Sequence, residues 1–165
     1  MSDYRNDIIG FPESTAVHKL ANLVGTIKVG KNCRIDAFVT ITGKVTLGDN
    51  VHIGVGACIF GGGGVSIDDC VSLSPGCKIF SATEDPDCGY LSNPTLPNHK
   101  AKEAPVRIGK RSIIGANSVV MPGVHIGDDV QIGALSFVRQ SIRSGTISAG
   151  IPAQKLRDKP SLVAM

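Results

Sequence analysis

Four histidines, one Glu-Asp pair and a run of four glycines are the residues of this chain with the most obvious chemistry. Zinc would need nitrogen or sulfur ligands that converge. His52, His99 and His125 are far apart in sequence, and the five cysteines contain no CxxC pair. The cysteines therefore read as small buried residues in a reducing compartment, and no metal site is expected. Glu84 and Asp85 precede Pro86. A carboxylate can serve as a general base near neutrality when burial raises its pKa; in water the same pair is an ordinary solvated turn. The run Gly61 to Gly64 looks like a phosphate cradle, but no GK[ST] follows it and it opens no helix.

The elements that must hold these residues follow from a period of six. Val29, Ile35, Ile41, Leu47, Ile53 and Ile59 are spaced six apart, and the series resumes at Ile67, Leu73 and Ile79. A second block runs Ile108, Ile114, Val120, Ile126, Ile132 and Val138. Neither a helix, at 3.6, nor a lone alternating strand, at 2, has this period. A short strand plus a turn does, and three such units close a triangular coil of roughly 18 residues. Successive coils stack at roughly the 4.8 Å strand spacing, with the anchors filling the interior. The fold expected is all-β: a parallel β-helix of about five coils, three from the first block and two from the second.

The expected organisation has an N-terminal segment 1–28, a β-helix 29–142 and a C-terminal tail 143–165. Val17 and Leu23 keep the period, so a ragged first coil can begin early. Residues 81–107 hold four of the nine prolines and break the period; they read as one long extruded loop. The tail is basic, an extension or a short helix. Between Ile59 and Ile67 the spacing is eight. The glycines therefore absorb a two-residue insertion at a coil corner, one coil below the root of the loop and beside His52, where they would leave an open floor.

Composition narrows the function classes. The net charge of +3 is mild, Trp is absent and aromatics make up 4%, which argues against a nucleic-acid partner. MSDYRNDIIGFPEST lacks the apolar run of a secretory signal. No stretch approaches the roughly 20 apolar residues of a membrane span. A cytoplasmic location without membrane insertion is expected.

Hexapeptide units broken by one long loop, followed by IGANSVVMPGVHIGDDVQIGALSFV and a closing AGIPAQKLR, resemble the hexapeptide-repeat acetyltransferases. VHIG at Val51, GGGGVSI, SATEDPD and NPTLP at Asn93 resemble more narrowly the sugar O-acetyltransferases of surface-polysaccharide assembly, relatives of galactoside and maltose acetyltransferases. The resemblance implies a left-handed β-helix, a homotrimer, and acetyl-CoA lying between neighbouring subunits. It implies that a sugar hydroxyl attacks the thioester while a base takes its proton and backbone N–H groups hold the oxyanion.

Galactoside-type relatives carry their catalytic histidine where this chain has Glu84, followed by Asp85. Either a carboxylate is the base or a histidine comes from elsewhere. His52, at a position where that family contacts its acceptor sugar, is the third catalytic candidate, with a surface turn residue as the alternative. Gly62, Asn93 and His99 are candidates for acceptor binding; His125 reads as an exposed turn residue, and His18 is set aside. Ala116 and Ala134 match positions whose backbone holds the pantetheine arm of CoA, although a tight turn also demands a small residue there. Arg139 follows near the next anchor. Lys155 and Arg157 remain available for CoA phosphates, because Gln154 replaces the basic residue of the closing motif. Two rival readings are an N-acetyltransferase acting on a nucleotide-linked amino sugar, whose amine needs no strong base, and, more remotely, a gamma-class carbonic anhydrase-like protein.

Overall fold

The computed structural model describes residues 4–5, 10–84, 89, 93, 95–96 and 99–160, all in strands, turns and connecting segments. The strands coil into a three-faced parallel β-helix. On the first face, Ala16–His18, Arg34–Ile35, His52–Ile53, Ser72–Leu73, Ile113–Ile114, Gln131–Ile132 and Thr146–Gly150 stack in parallel as seven rungs. Partners on this face repeat every 18 residues (Arg34 on His52, Ile113 on Gln131) except where the glycine insertion lengthens a coil to 20, where the loop intervenes, and at the last rung, where Gln131 pairs with Ile147 at a spacing of 16.

The anchors explain the stack. Ile35, Ile41, Ile53, Ile59, Leu73, Ile79, Ile114, Val120 and Ile126 are fully buried in one continuous core. Each brings on the order of 1.5–3 kcal/mol of burial, and β-branched side chains suit the extended backbone between turns. The third residue after most anchors takes a left-handed conformation, as at Asn32, Asn50, Gly56, Gly76, Asn117 and Asp129. Asn, Asp and Gly tolerate it. Phe38 and Leu135 occupy the same position at φ 59° and 57°.

Two expectations need correction. The coil count is about seven, not about five. Val17, Leu23 and Val29 form a regular first coil. The long loop does not separate two blocks: Arg107–Ile108 stacks on Ser66–Ile67, so Leu73, Ile79 and Ile108 belong to one coil that the loop interrupts. After Val138 the anchor spacing shortens, to Ile142 and Ile147, yet backbone pairing continues through both. Nor is the tail a helix. Thr146–Gly150 turns back into Ala153–Asp158 as an antiparallel hairpin, because Gly150 takes φ 106° and Pro152 has no N–H to continue a helix. At the other end, Tyr4–Arg5 pairs antiparallel with the first rung.

One corner of the prism differs from the other two. In the first three coils the second and third faces are single bent strands, Asn22–Val29, Thr40–Leu47 and Cys58–Ile67. Gly25 and Gly43 stack at the bend, and a Cβ on either would fall on the backbone of the glycine above it. The register slips between Gly43 and Val45 opposite Gly61 to Gly64, which is where the two extra residues are accommodated. In the fourth coil the chain leaves the prism at this same corner, after Phe80.

Candidate functional site

The root of the loop is an antiparallel hairpin, Ala82–Glu84 against Ala101–Glu103. Ser81 ties it to the glycine bulge below. Its hydroxyl donates to the Phe60 carbonyl at 2.9 Å and accepts from the Gly63 N–H at 3.1 Å, and its carbonyl accepts from the Ala104 N–H at 2.9 Å. The hairpin lies so close that a Cβ on Gly62 would be 2.8 Å from the Ala82 Cβ. On Gly63 it would strike the Ser81 carbonyl. Glycine is therefore required by close approach, and the bulge presents bare backbone.

Between bulge and hairpin lies a cleft of about 430 Å³. Phe60 and Phe80, one rung apart, stack with centroids 5.0 Å apart and form an apolar wall. Thr42, Gly62 and Thr83 line it, and Glu84 and His99 stand together at one side, with His99 Nδ1 3.4 Å from Glu84 Oε2. That contact is too poorly aligned for a hydrogen bond, so the buried Nδ1 has no hydrogen-bond partner among the described residues. Asn93 helps set the histidine through a turn. Its side-chain oxygen accepts from the Thr95 N–H at 2.9 Å, its carbonyl accepts from the Leu96 N–H, and the Leu96 carbonyl accepts from the His99 N–H. Asp85 lies outside the described residues.

His52 does not line this cleft. It sits on the first face, one rung above Asp36, with Nε2 2.8 Å from Asp36 Oδ2. Arg34 donates to the other oxygen of Asp36 at 2.7 Å. Asp36 is almost fully buried while His52 remains partly exposed. His125 is on the third face, so His52, His99 and His125 occupy three separate parts of the molecule. Among the described residues no group of three His, Cys, Asp or Glu side chains could hold a metal.

Ala116 and Ala134 stack one coil apart at the corner between the first and second faces. The Ala116 carbonyl accepts from the Leu135 N–H, whereas the N–H groups of both alanines donate to no described residue and point to no rung partner. The same corner carries Leu20, Phe38, Val55, Leu135 and Ile151, all exposed. Arg139 follows Val138 on the second face, in the outward column that also holds Phe60 and Phe80. Lys155 and Arg157 are on the terminal hairpin, where Lys155 already pairs with Asp158 at 2.7 Å.

Two partnerships escaped the reading of the sequence. Asp36 and His52 are 16 residues apart, which across an 18-residue coil places them diagonally on neighbouring rungs. Glu84 and His99 meet because the hairpin pairs Glu84 with Ala101, a register no local pattern announces.

The chain matches the bacterial transferase hexapeptide (six repeats) family over residues 26–61 and 105–140. It is 34% identical over 154 residues to an Escherichia coli dTDP-4-amino-4,6-dideoxy-D-glucose acyltransferase, covering 89% of this chain and 80% of that one. It is 28% identical over 132 residues to the galactoside O-acetyltransferase of Escherichia coli K12, covering 79% and 63%. Among solved structures, a variant of the Bacillus cereus N-acyltransferase AntD, in complex with dTDP-4-amino-4,6-dideoxyglucose and coenzyme A, superposes with a TM-score of 0.92 at 31% identity, over 98% of this chain and 93% of that one. With its stacked coils, buried six-residue anchors and single extruded loop, the chain belongs to the hexapeptide-repeat acyltransferases, proteins built on the left-handed parallel β-helix.

Proposed function

We propose that this protein transfers an acyl group from an acyl-CoA, acetyl-CoA being the simplest, to the amine of a nucleotide-linked amino sugar used in surface-polysaccharide assembly. The observation that carries the reading is the cleft of Phe60, Phe80 and Gly62 with the Glu84–His99 pair at its side, in a chain 34% identical to an acyltransferase named for such a sugar. The apolar wall suits one face of a deoxysugar. The position that holds a catalytic histidine in galactoside-type relatives is a carboxylate here, which fits an acceptor whose neutral amine is already nucleophilic.

In this reading the amine lone pair attacks the thioester carbonyl carbon, and the C–S bond breaks. The proton leaving nitrogen passes to the Glu84–His99 pair and returns to the thiolate, so that free CoA departs as the thiol. Gly62 is the floor of the acceptor cleft, and Asn93 positions His99. The unengaged N–H groups of Ala116 and Ala134 suit the pantetheine amides, and Arg139 and Arg157 suit the CoA phosphates better than Lys155, which has an internal carboxylate partner. The site is completed in a homotrimer. The exposed ridge of Leu20, Phe38, Val55 and Leu135 supports that assembly, and Phe38 and Leu135 stand on it at positive φ, a conformation that costs a bulky side chain energy.

The O-transfer expected from the galactoside resemblance is the second reading. A histidine held against a carboxylate is a group able to deprotonate a hydroxyl. The two separate in one assay: purified protein, acetyl-CoA, and either dTDP-4-amino-4,6-dideoxyglucose or its 4-hydroxyl counterpart, with thiol release followed. The amine should react on the order of a hundredfold faster. Equal rates, or a faster hydroxyl, would overturn N-transfer.

A further inference from the structure

A second cleft, of about 530 Å³, opens on the far side of the glycine bulge. Lys28, Lys44 and Arg107 line it, together with the hydroxyls of Thr26, Thr46 and Ser66. Lys28, Thr46, Ser66 and Arg107 are rung partners on the third face, in the outward position before each anchor. The charges there are uncompensated. Arg34, Lys110, Arg111, Arg143 and Lys155 are each ion-paired. Lys28, Lys44 and Arg107 have no carboxylate partner among the described residues, and no described carboxylate lines the cleft. Three cations with hydroxyls beside them, converging on one concavity, make a site for a multiply charged anion.

The position relative to the first cleft gives that anion an identity. Thr42 lines the first cleft and Lys44 the second, on one strand that bends at Gly43 between them. Gly62 faces the first and Gly64 the second, and the space where a Cβ of Gly64 would lie is empty. The clefts are thus two extended residues apart, at most roughly 7 Å, across a ridge of bare backbone. We propose that this second cleft binds the diphosphate of the acceptor, so that the sugar sits against Phe60 and Phe80 while its diphosphate crosses the glycines to Lys44, Lys28 and Arg107. The inference rests on the nucleotide-linked reading of the acceptor. It also gives the glycine run a role in ligand passage, since any side chain at Gly64 would stand in that path.

The test compares wild type with Lys44→Ala, Arg107→Ala and Lys28→Ala. These side chains are solvent-facing, and thermal melting checks that each variant is folded. Binding of dTDP and of inorganic pyrophosphate is measured by calorimetry at fixed, low ionic strength, and KM is measured for the nucleotide sugar and for acetyl-CoA. Each Lys44 or Arg107 substitution should weaken dTDP and pyrophosphate about tenfold and raise the acceptor KM by a similar factor. The acetyl-CoA KM should move less than twofold. A loss that falls on acetyl-CoA instead assigns the cleft to the donor's phosphates and overturns the proposal. Unchanged dTDP and pyrophosphate affinity in folded variants that acylate a nucleotide sugar also overturns it, and leaves the acceptor reading intact. If wild type acylates no nucleotide sugar but loses pyrophosphate binding on these substitutions, the acceptor reading fails while the diphosphate site is upheld.

Discussion

His99 carries a buried nitrogen without a hydrogen-bond partner among the described residues, beside a carboxylate 3.4 Å away. Such an unmade bond costs on the order of 1–3 kcal/mol, and a substrate that aligns the pair, or takes the nitrogen as its own acceptor, recovers it. His52 is the opposite case, already held by Asp36 at 2.8 Å. Glu84→Gln and His99→Ala should therefore each lower kcat about 10²-fold or more with intact melting. His52→Ala should lower it less than threefold. Steady-state kinetics on the three variants checks this, and a collapse confined to His52→Ala would move the chemistry to the first face. The sequence offers Glu84 and His52 as separate catalytic candidates and His99 only as a candidate for acceptor binding. Only the coil's diagonal and the hairpin's register assign their neighbours, and both are long-range facts.

At the scale of the element, the glycine bulge and the loop hairpin are one unit. The hairpin can dock only because Gly62 and Gly63 have no side chains, and Ser81 fastens the joint with both its hydroxyl and its carbonyl. Ser81→Ala should cost about 1 kcal/mol, since it strands the half-buried Gly63 N–H. Gly63→Val should do worse, because its side chain would have to displace the Ser81 and Ala104 backbone. Chemical denaturation gives the stability, and limited proteolysis within 81–107 tests whether the loop has come loose. A Gly63→Val protein as stable and as resistant as wild type would show that the docking is incidental. The insertion itself is legible, since Ile59 to Ile67 is two residues longer than its neighbours. Its neighbour is not: the reading puts His52 beside the glycines, whereas the structure puts the hairpin there. Local spacing counts residues along a coil without saying which face they reach.

Across the whole molecule, the period of six makes the fold class readable from the anchors alone. The coil count comes out low because short spacings after Val138 and a loop inside a coil hide rungs that backbone pairing preserves. Along the outer turns, ion pairs stitch successive coils: Lys110 with Asp69 at 3.0 Å and Arg111 with Asp129 at 2.6 Å. Asp69 is held below the usual carboxylate range chiefly by the Asp49 backbone N–H and then by Lys110; for Asp129 the Arg111 guanidinium does this, and for Asp158 Lys155. A lowered folded-state pKa means a contribution that is complete above the unfolded value, about 3.9, and is lost as pH falls through the folded one. The melting temperature should therefore stay level from pH 7 to about pH 5 and decline below about pH 4. Asp69→Asn with Asp129→Asn should flatten that decline, and an unaltered acid limb in differential scanning calorimetry would assign it to other groups.

A stack of parallel rungs has no intrinsic reason to stop. Each exposed edge is a template on which the next coil, or another molecule, can add. Here both ends of the nine-stranded sheet finish in antiparallel strands, Tyr4–Arg5 at one and Ala153–Asp158 at the other. A further rung would have to run antiparallel to such a strand, with a hydrogen-bond pattern unlike that of the parallel stack. The outer strand at the C-terminal end also carries Lys155, Arg157 and Asp158, charges that resist lateral docking. Among the described residues the terminal hairpin thus caps this face of the stack, because its outer strand reverses direction.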